Sequence, residues 1–130
     1  MHCIYAIQHN KTKRMYIGST GNLPLRYKGH ITALRKKKHH SKLMQEDFDK
    51  YGEDYSIYVL EEFEHPKEKI FAYGTTYCSR YAVLEYKWME KYDTVNSGYN
   101  TQDHIAKKHI KNKGSVNFPI KEGLPEIKKD

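Results

Sequence analysis

Apolar and polar positions alternate in two short blocks near the start of the chain. Cys3-Ile4-Tyr5-Ala6-Ile7 reads as a strand, His9 to Lys13 is polar and turn-like, and Met15 to Gly18 reads as a second strand. Two such blocks joined by a short polar segment predict an antiparallel hairpin. Thr20-Gly21-Asn22 ends it. Asn22 is suited to cap a helix, and Pro24 suits the first turn. That helix is predicted to run to about Lys36, with Tyr27, Ile31 and Leu34 at i, i+4, i+7 as its buried stripe. Arg26 and His30 are also four apart and share one face beside the stripe. A basic run, Arg35 to Lys38, leads into His39-His40. Ser41 then caps a second predicted helix, with Leu43, Met44, Phe48 and Tyr51 on its apolar side and Gly52 as its stop.

Tyr55 to Leu60 reads as a third strand. The stretch Glu61 to Thr76, containing Pro66 and Gly74, is irregular, with a short helix expected around Lys67 to Tyr73. A long helix is predicted from about Ser79 to Tyr92, with Tyr81, Leu84, Trp88 and Tyr92 at helical spacing. Asn96-Ser97-Gly98-Tyr99-Asn100 is a loop. Beyond His104 the chain carries seven Lys against three acids, with Gly114, Pro119, Gly123 and Pro125, and shows no periodicity that adds a core element. The expected organisation is one folded domain over residues 1–103 and a basic tail, or the start of a linker, over 104–130.

Composition narrows the classes. A chain of 130 residues fits one domain, and 38% hydrophobic residues with 12 Tyr supply a packed core. No run approaches the roughly 20 apolar residues of a membrane helix, and no leader-like segment opens the chain. Cys3 and Cys78 are far apart and match no metal spacing, so they read as free thiols in a reducing compartment. A soluble, cytoplasmic protein is expected. The net charge is +7, and its distribution says more: Met1 to Gln45 holds ten Lys or Arg and no acid, whereas the remainder holds 13 basic and 16 acidic residues. A positive face recruits a polyanion; a merely solvated basic surface is the plain alternative.

Three constellations carry candidate chemistry. Tyr5 and Tyr16 lie on adjacent hairpin strands, where two phenols come side by side; such a pair also serves as ordinary core packing. Arg26 presents a rigid fork that matches phosphate oxygens, and His30 exchanges a proton near neutral pH; the pair also reads as a polar helix edge. Glu85 sits beside Leu84, with Tyr81 four residues before it and Trp88 three after, on the inward edge of an amphipathic helix. An unpartnered carboxylate there is costly. It pairs with Arg26 or holds a hard, oxygen-seeking cation such as Mg²⁺.

The ordered set Ile4-Tyr5, Tyr16-Ile17-Gly18, Arg26, His30, His39, Gly52, Glu85-x-x-Trp88 and Gly98-Tyr99-Asn100 resembles the GIY-YIG nuclease superfamily over roughly residues 3–100. The stretch from His39 through Phe48 to Gly52, and Asn96-Ser97-Gly98-Tyr99-Asn100, are similar to its phage homing endonucleases. Cys3 stands where the family has Gly, and Leu84 where it often has Arg. Glu90 is a rival to Glu85, which the Glu-x-x-Trp spacing favours. The resemblance implies an α+β fold, a small three-stranded antiparallel sheet flanked by helices. It implies DNA phosphodiester hydrolysis with one divalent cation, Mg²⁺ or Mn²⁺, held by Glu85 against the scissile phosphate and leaving 3′-oxygen. Tyr5 would help deprotonate water, which calls for a depressed phenol pKa. Tyr16 would position water or phosphate, and Arg26 would steady charge on the phosphate. His30, His39 and Asn100 complete the implied catalytic set.

Arg35, Lys36, Lys37 and Lys38 are the candidate DNA contacts, expected to project into solvent between two helices. DNA is the expected partner, with no membrane, no small-molecule cofactor and a monomer in the free state. Two alternatives remain beside the enzyme: a nucleic-acid-binding module with a dead site, and a basic structural component of a nucleoprotein particle. Whether the chain is a free-standing nuclease or an excised catalytic domain also stays open.

Overall fold

The computed structural model describes residues 1–73 and 76–100, with residues 70–73 and 76–78 described by their backbone alone. The expected tail over 104–130, and the boundary near 103, lie outside the described residues.

The apolar run Cys3–Ile7 is the middle of the molecule. Strand β1 (His2–His9) lies between β2 (Met15–Thr20) and β3 (Tyr55–Phe63), both antiparallel to it. A strand flanked by two others and covered on both faces reads as a continuous apolar run, and Ile4, Ala6 and Ile7 are fully buried. Strand β3 runs on to Phe63 instead of ending at Leu60.

Alternation along β1 separates two cores. Ile4 and Ala6 join Ile17, Tyr58, Leu60, Leu84, Trp88 and Met89. Cys3, Tyr5 and Ile7 join Ile31, Leu34, Met44 and Tyr99 on the other side. Helices α1 (Leu23–Arg35) and α2 (Lys42–Tyr51) supply that second side. Their local signals hold: Asn22 accepts from the Leu25 N–H at 3.2 Å and Ser41 from the Met44 N–H at 3.3 Å, satisfying donors that a helix start leaves without partners.

Two expectations are corrected. The short helix expected around Lys67 to Tyr73 is absent; β4 (Lys69–Tyr73) pairs antiparallel with β5 (Thr76–Ser79). Ile70, Phe71, Tyr73, Thr76 and Tyr77 are β-branched or aromatic, and a helix so short has no propensity to oppose them. This hairpin leads into α3 (Arg80–Tyr92), where Ala82, Val83, Leu84, Tyr86, Trp88 and Met89 are buried. Tyr81 is 37% exposed and lies off that face. Helix α3 packs on β5 as well as on β1 and β2, so its buried arc is wider than a single stripe and turned away from Tyr81.

The segment after α3 closes on the free edge of β2. The Tyr99 N–H donates to the Met15 carbonyl at 2.8 Å. A Cβ at Gly98 would lie 2.6 Å from that carbonyl, so only glycine allows this approach. Among the described residues, no helix is long and apolar enough to cross a membrane.

Candidate active site

The hairpin sets Tyr5 directly opposite Gly18. A Cβ on Gly18 would lie 2.5 Å from the Tyr5 hydroxyl oxygen, so the bare backbone there is what lets the phenol lie across β2. On its other flank, β1 pairs Ile4 with Glu61 but Tyr5 with Val59, a bulge that falls beside Tyr5. Bulges re-aim side chains. Tyr5 is 1% exposed, and its hydroxyl is 3.0 Å from His30 Nε2 on α1.

His30 and His39 are both buried, and their Nδ1 and Nε2 atoms are 2.8 Å apart. Gln45 on α2 clasps the loop that carries His39: it accepts from the His39 N–H at 3.2 Å and donates to the Leu34 carbonyl at 2.9 Å. Tyr16 stands edge-on to His30, with ring centroids 4.7 Å apart, and 6.4 Å from the Tyr5 ring. Tyr5, Tyr16, His30 and His39 are therefore one cluster, as the resemblance implied. His40, which the sequence analysis did not select, stacks on His39 at 4.5 Å; its adjacency to His39 was the available signal.

This cluster backs an open cleft of about 410 Å³, lined by Thr20, Asn22, Arg26, Gly29, His30 and His40 among others. Arg26 is exposed at its mouth. Glu85 is half-buried on α3, the helix that covers the opposite face of the sheet. Its carboxylate nevertheless adds to the burial that makes Tyr5 and Tyr16 harder to ionise, and it opposes the burial that lowers His2. Glu90 accepts from the Tyr86 hydroxyl one turn earlier on α3.

The electrostatics reverse one expectation. The Tyr5 phenol is held well above its ordinary pKa, not below it: burial is the largest cause, followed by Tyr16, with the Arg26 charge opposing. Charge near Arg26 was legible in the sequence, but the desolvation that outweighs it was not. Burial, followed by neighbouring histidines, lowers His30 to about 4, and burial likewise lowers His39 to about 4. Both imidazoles are neutral at physiological pH.

Two further groups are placed differently from expectation. Asn100 does not reach the cluster; its side-chain oxygen accepts from the Ile17 N–H and its nitrogen donates to the Ile17 carbonyl, both at 3.0 Å. It pairs with the free edge of β2, next to Tyr16. In the basic run, Arg35 pairs with Glu53 at 2.8 Å and Lys37 with Asp49 at 2.5 Å, while Lys36 and Lys38 are exposed with no ion pair to a described residue. The projecting basic loop is thus half tied down, because α2 and the turn after it present acids to it.

A buried carboxylate also escaped the sequence analysis. Asp47 on α2, 4% exposed, accepts from Arg14 at 3.0 Å and from the Tyr99 hydroxyl at 2.6 Å. It joins the hairpin turn, α2 and the closing loop. An acid amid Leu43, Met44 and Phe48 was the signal.

With this geometry established, residues 1–100 match the GIY-YIG catalytic domain. The chain belongs to the GIY-YIG family. It is 28% identical over 100 residues to Intron-associated endonuclease 1 of Enterobacteria phage T4, which covers 77% of this chain and 36% of that protein. The chain thus spans about a third of that relative's length. The catalytic domain of homing endonuclease I-TevI superposes with a TM-score of 0.66 at 25% identity, covering 79% of this chain and 100% of the other. A mutant of the catalytic domain of intron endonuclease I-TevI gives 0.66 at 26%, covering 79% and 96%. In this GIY-YIG domain Cys3-Ile4-Tyr5 and Tyr16-Ile17-Gly18 lie on paired strands and meet at one residue pair, Tyr5 with Gly18, which lays the phenol over the glycine.

Proposed function

We propose that this GIY-YIG domain is a divalent-metal-dependent DNA endonuclease of the homing type, encoded by a phage or mobile element and acting inside the cell. The observation that carries the reading is that Arg26, His30 and His39 line one cleft, that Tyr5 and Tyr16 cluster against His30 behind it, and that the Glu85 carboxylate acts on both phenols. The similar phage protein is named an endonuclease, which supports it.

Among the described residues no group of three or more His, Cys, Asp or Glu is arranged to hold a metal. A single carboxylate fits a hard cation that keeps several waters and completes its shell with substrate phosphate oxygens. Glu85 would hold Mg²⁺ or Mn²⁺ in this way. Such a cation, when bound, would stabilise charge on the phosphate and on the leaving oxygen. Arg26, exposed at the cleft mouth, offers its fork to the same phosphate. Tyr16 orients water or phosphate beside Tyr5, whose oxygen would take the proton of the attacking water only once ionised, its own proton having gone to solvent; burial opposes that ionisation in the protein alone and the Arg26 charge favours it. Asn100, by holding the backbone next to Tyr16, is a positioning residue. Lys36 and Lys38 contact flanking phosphates. The reading takes the free protein as a monomer acting on DNA with no small-molecule cofactor.

Replacing Glu85 with Ala tests the reading. Nicking of supercoiled plasmid in Mg²⁺ or Mn²⁺ should be abolished, while DNA binding and melting temperature stay close to wild type; Glu90→Ala should still cut. Near-normal cleavage by Glu85→Ala would remove Glu85 from the reading. A wild-type protein that binds but never cuts in either cation would be a DNA-binding module.

A further inference from the structure

A line of hydrogen bonds reaches Tyr5 from the buried side of the cleft. The Ser41 backbone N–H donates to His39 Nδ1 at 3.0 Å. His39 Nε2 is 2.8 Å from His30 Nδ1, with the ring centroids 5.1 Å apart, so the rings meet nitrogen to nitrogen. His30 Nε2 is 3.0 Å from the Tyr5 hydroxyl oxygen.

The first link decides the others, because a backbone N–H can only donate. His39 Nδ1 therefore carries no proton. A neutral imidazole holds one proton, so it sits on His39 Nε2 and is given to His30 Nδ1. His30 Nδ1 is then an acceptor, and the proton of His30 sits on Nε2, facing Tyr5. We propose that the Ser41 backbone sets a one-way chain of donors, Ser41 to His39 to His30 to Tyr5, which makes His30 a donor to the phenol oxygen and not the group that takes its proton. The reverse order would set a protonated His39 Nδ1 against the Ser41 N–H and leave two buried donors without acceptors, a costly arrangement. Both rings are buried and their proton affinities are depressed, so the neutral forms used here are those present at neutral pH.

The chain has a chemical consequence that rests on the endonuclease reading. A donor aimed at the Tyr5 oxygen favours the phenolate over the phenol. It offsets part of the burial that holds Tyr5 above its ordinary pKa. It also leaves the hydrogen of Tyr5 directed away from His30. His39 and Ser41 act through His30 and are positioning residues. The start of α2 anchors them, since Ser41 both caps that helix and begins the chain.

The test has two readouts. Long-range ¹H–¹⁵N correlation spectra of the full chain with ¹⁵N-labelled histidine, without metal or DNA at pH 7, should show His30 and His39 protonated at Nε2 alone. Nδ1 protonation of either overturns the chain. The second readout is substitution of His30. Gln places an amide nitrogen near the Nε2 position and keeps a donor for Tyr5; Asn falls short. His30→Gln should keep kcat for plasmid nicking within about tenfold of wild type, and His30→Asn should lose about a hundredfold, the scale of a general acid–base contribution, with KM for DNA unchanged in both. Equal losses in kcat, or a change confined to KM, overturn it. The spectra need no cleavage, so a protein with these tautomers that never cuts refutes the endonuclease reading and leaves the chain of donors standing.

Discussion

On the α3 side of the sheet, Ile4, Ala6, Ile17, Leu60, Leu84 and Trp88 meet as hydrocarbon and indole. On the α1–α2 side, the same strand turns Tyr5 toward His30 and His39, and Asp47 is held by Arg14 and Tyr99. Both sides carry an apolar core, but the second also buries a set of polar groups. Apolar burial is roughly proportional to area and has no direction. Buried polar groups must each meet a partner at the right angle. Both cores stabilise the fold, and the buried polar groups of the second give the candidate site its geometry. Strand β1 serves both because successive residues point to opposite faces.

The largest effect that separates them is Trp88→Ala. Trp88 is fully buried and also donates to Glu61 at 3.1 Å. Its truncation should cost roughly 3–5 kcal/mol, read from denaturant midpoints. A loss below about 1 kcal/mol would mean that Trp88 is not a main support of the α3-side core.

Tyr5→Phe is the mirror case. It keeps the ring and removes the oxygen, so the midpoint should move little while turnover falls by at least about a hundredfold. Retained turnover would reduce Tyr5 to a packing residue.

Acid should find the polar side first. Unfolded histidine takes up a proton near 6.5, whereas folded His30 and His39 resist until about 4. Between those values the unfolded chain binds more protons, so stability falls as pH falls. The melting temperature should drop across that window, and a His30→Gln, His39→Gln double variant should drop less. Parallel curves for the two proteins would contradict the buried, neutral imidazoles.

The smallest effect lies at the surface of the polar side. Replacing Lys36 and Lys38 with Gln should flatten the slope of log DNA affinity against log salt by up to about two units, at about 0.9 per lost phosphate contact. Replacing Arg35 and Lys37, whose charges already face Glu53 and Asp49, should flatten it less. Equal slopes for both pairs would mean that those ion pairs open on DNA.

Much of this protein was determined within short windows of its sequence. The β1–β2 hairpin follows from apolar alternation, and α1 and α2 begin at Asn22 and Ser41 because these side chains satisfy the first helical N–H groups; the grouping of Tyr5, Tyr16, His30 and His39 came from the resemblance of their ordered set. The strand and cap signals are local, so a linear reading reaches them. The 69–79 segment was misread because a single Pro and a single Gly outweighed a run of β-branched and aromatic residues, and pairing partners lie outside any short window. Only the tertiary structure decided that Tyr5 is raised and not lowered, that Asn100 pairs with Ile17, that Asp47 is buried, and that Arg35 and Lys37 are paired. Each depends on which groups come near after folding, often from tens of residues away, and on how much water they displace. Desolvation belongs to a place in the folded molecule, and no residue type carries it in the sequence.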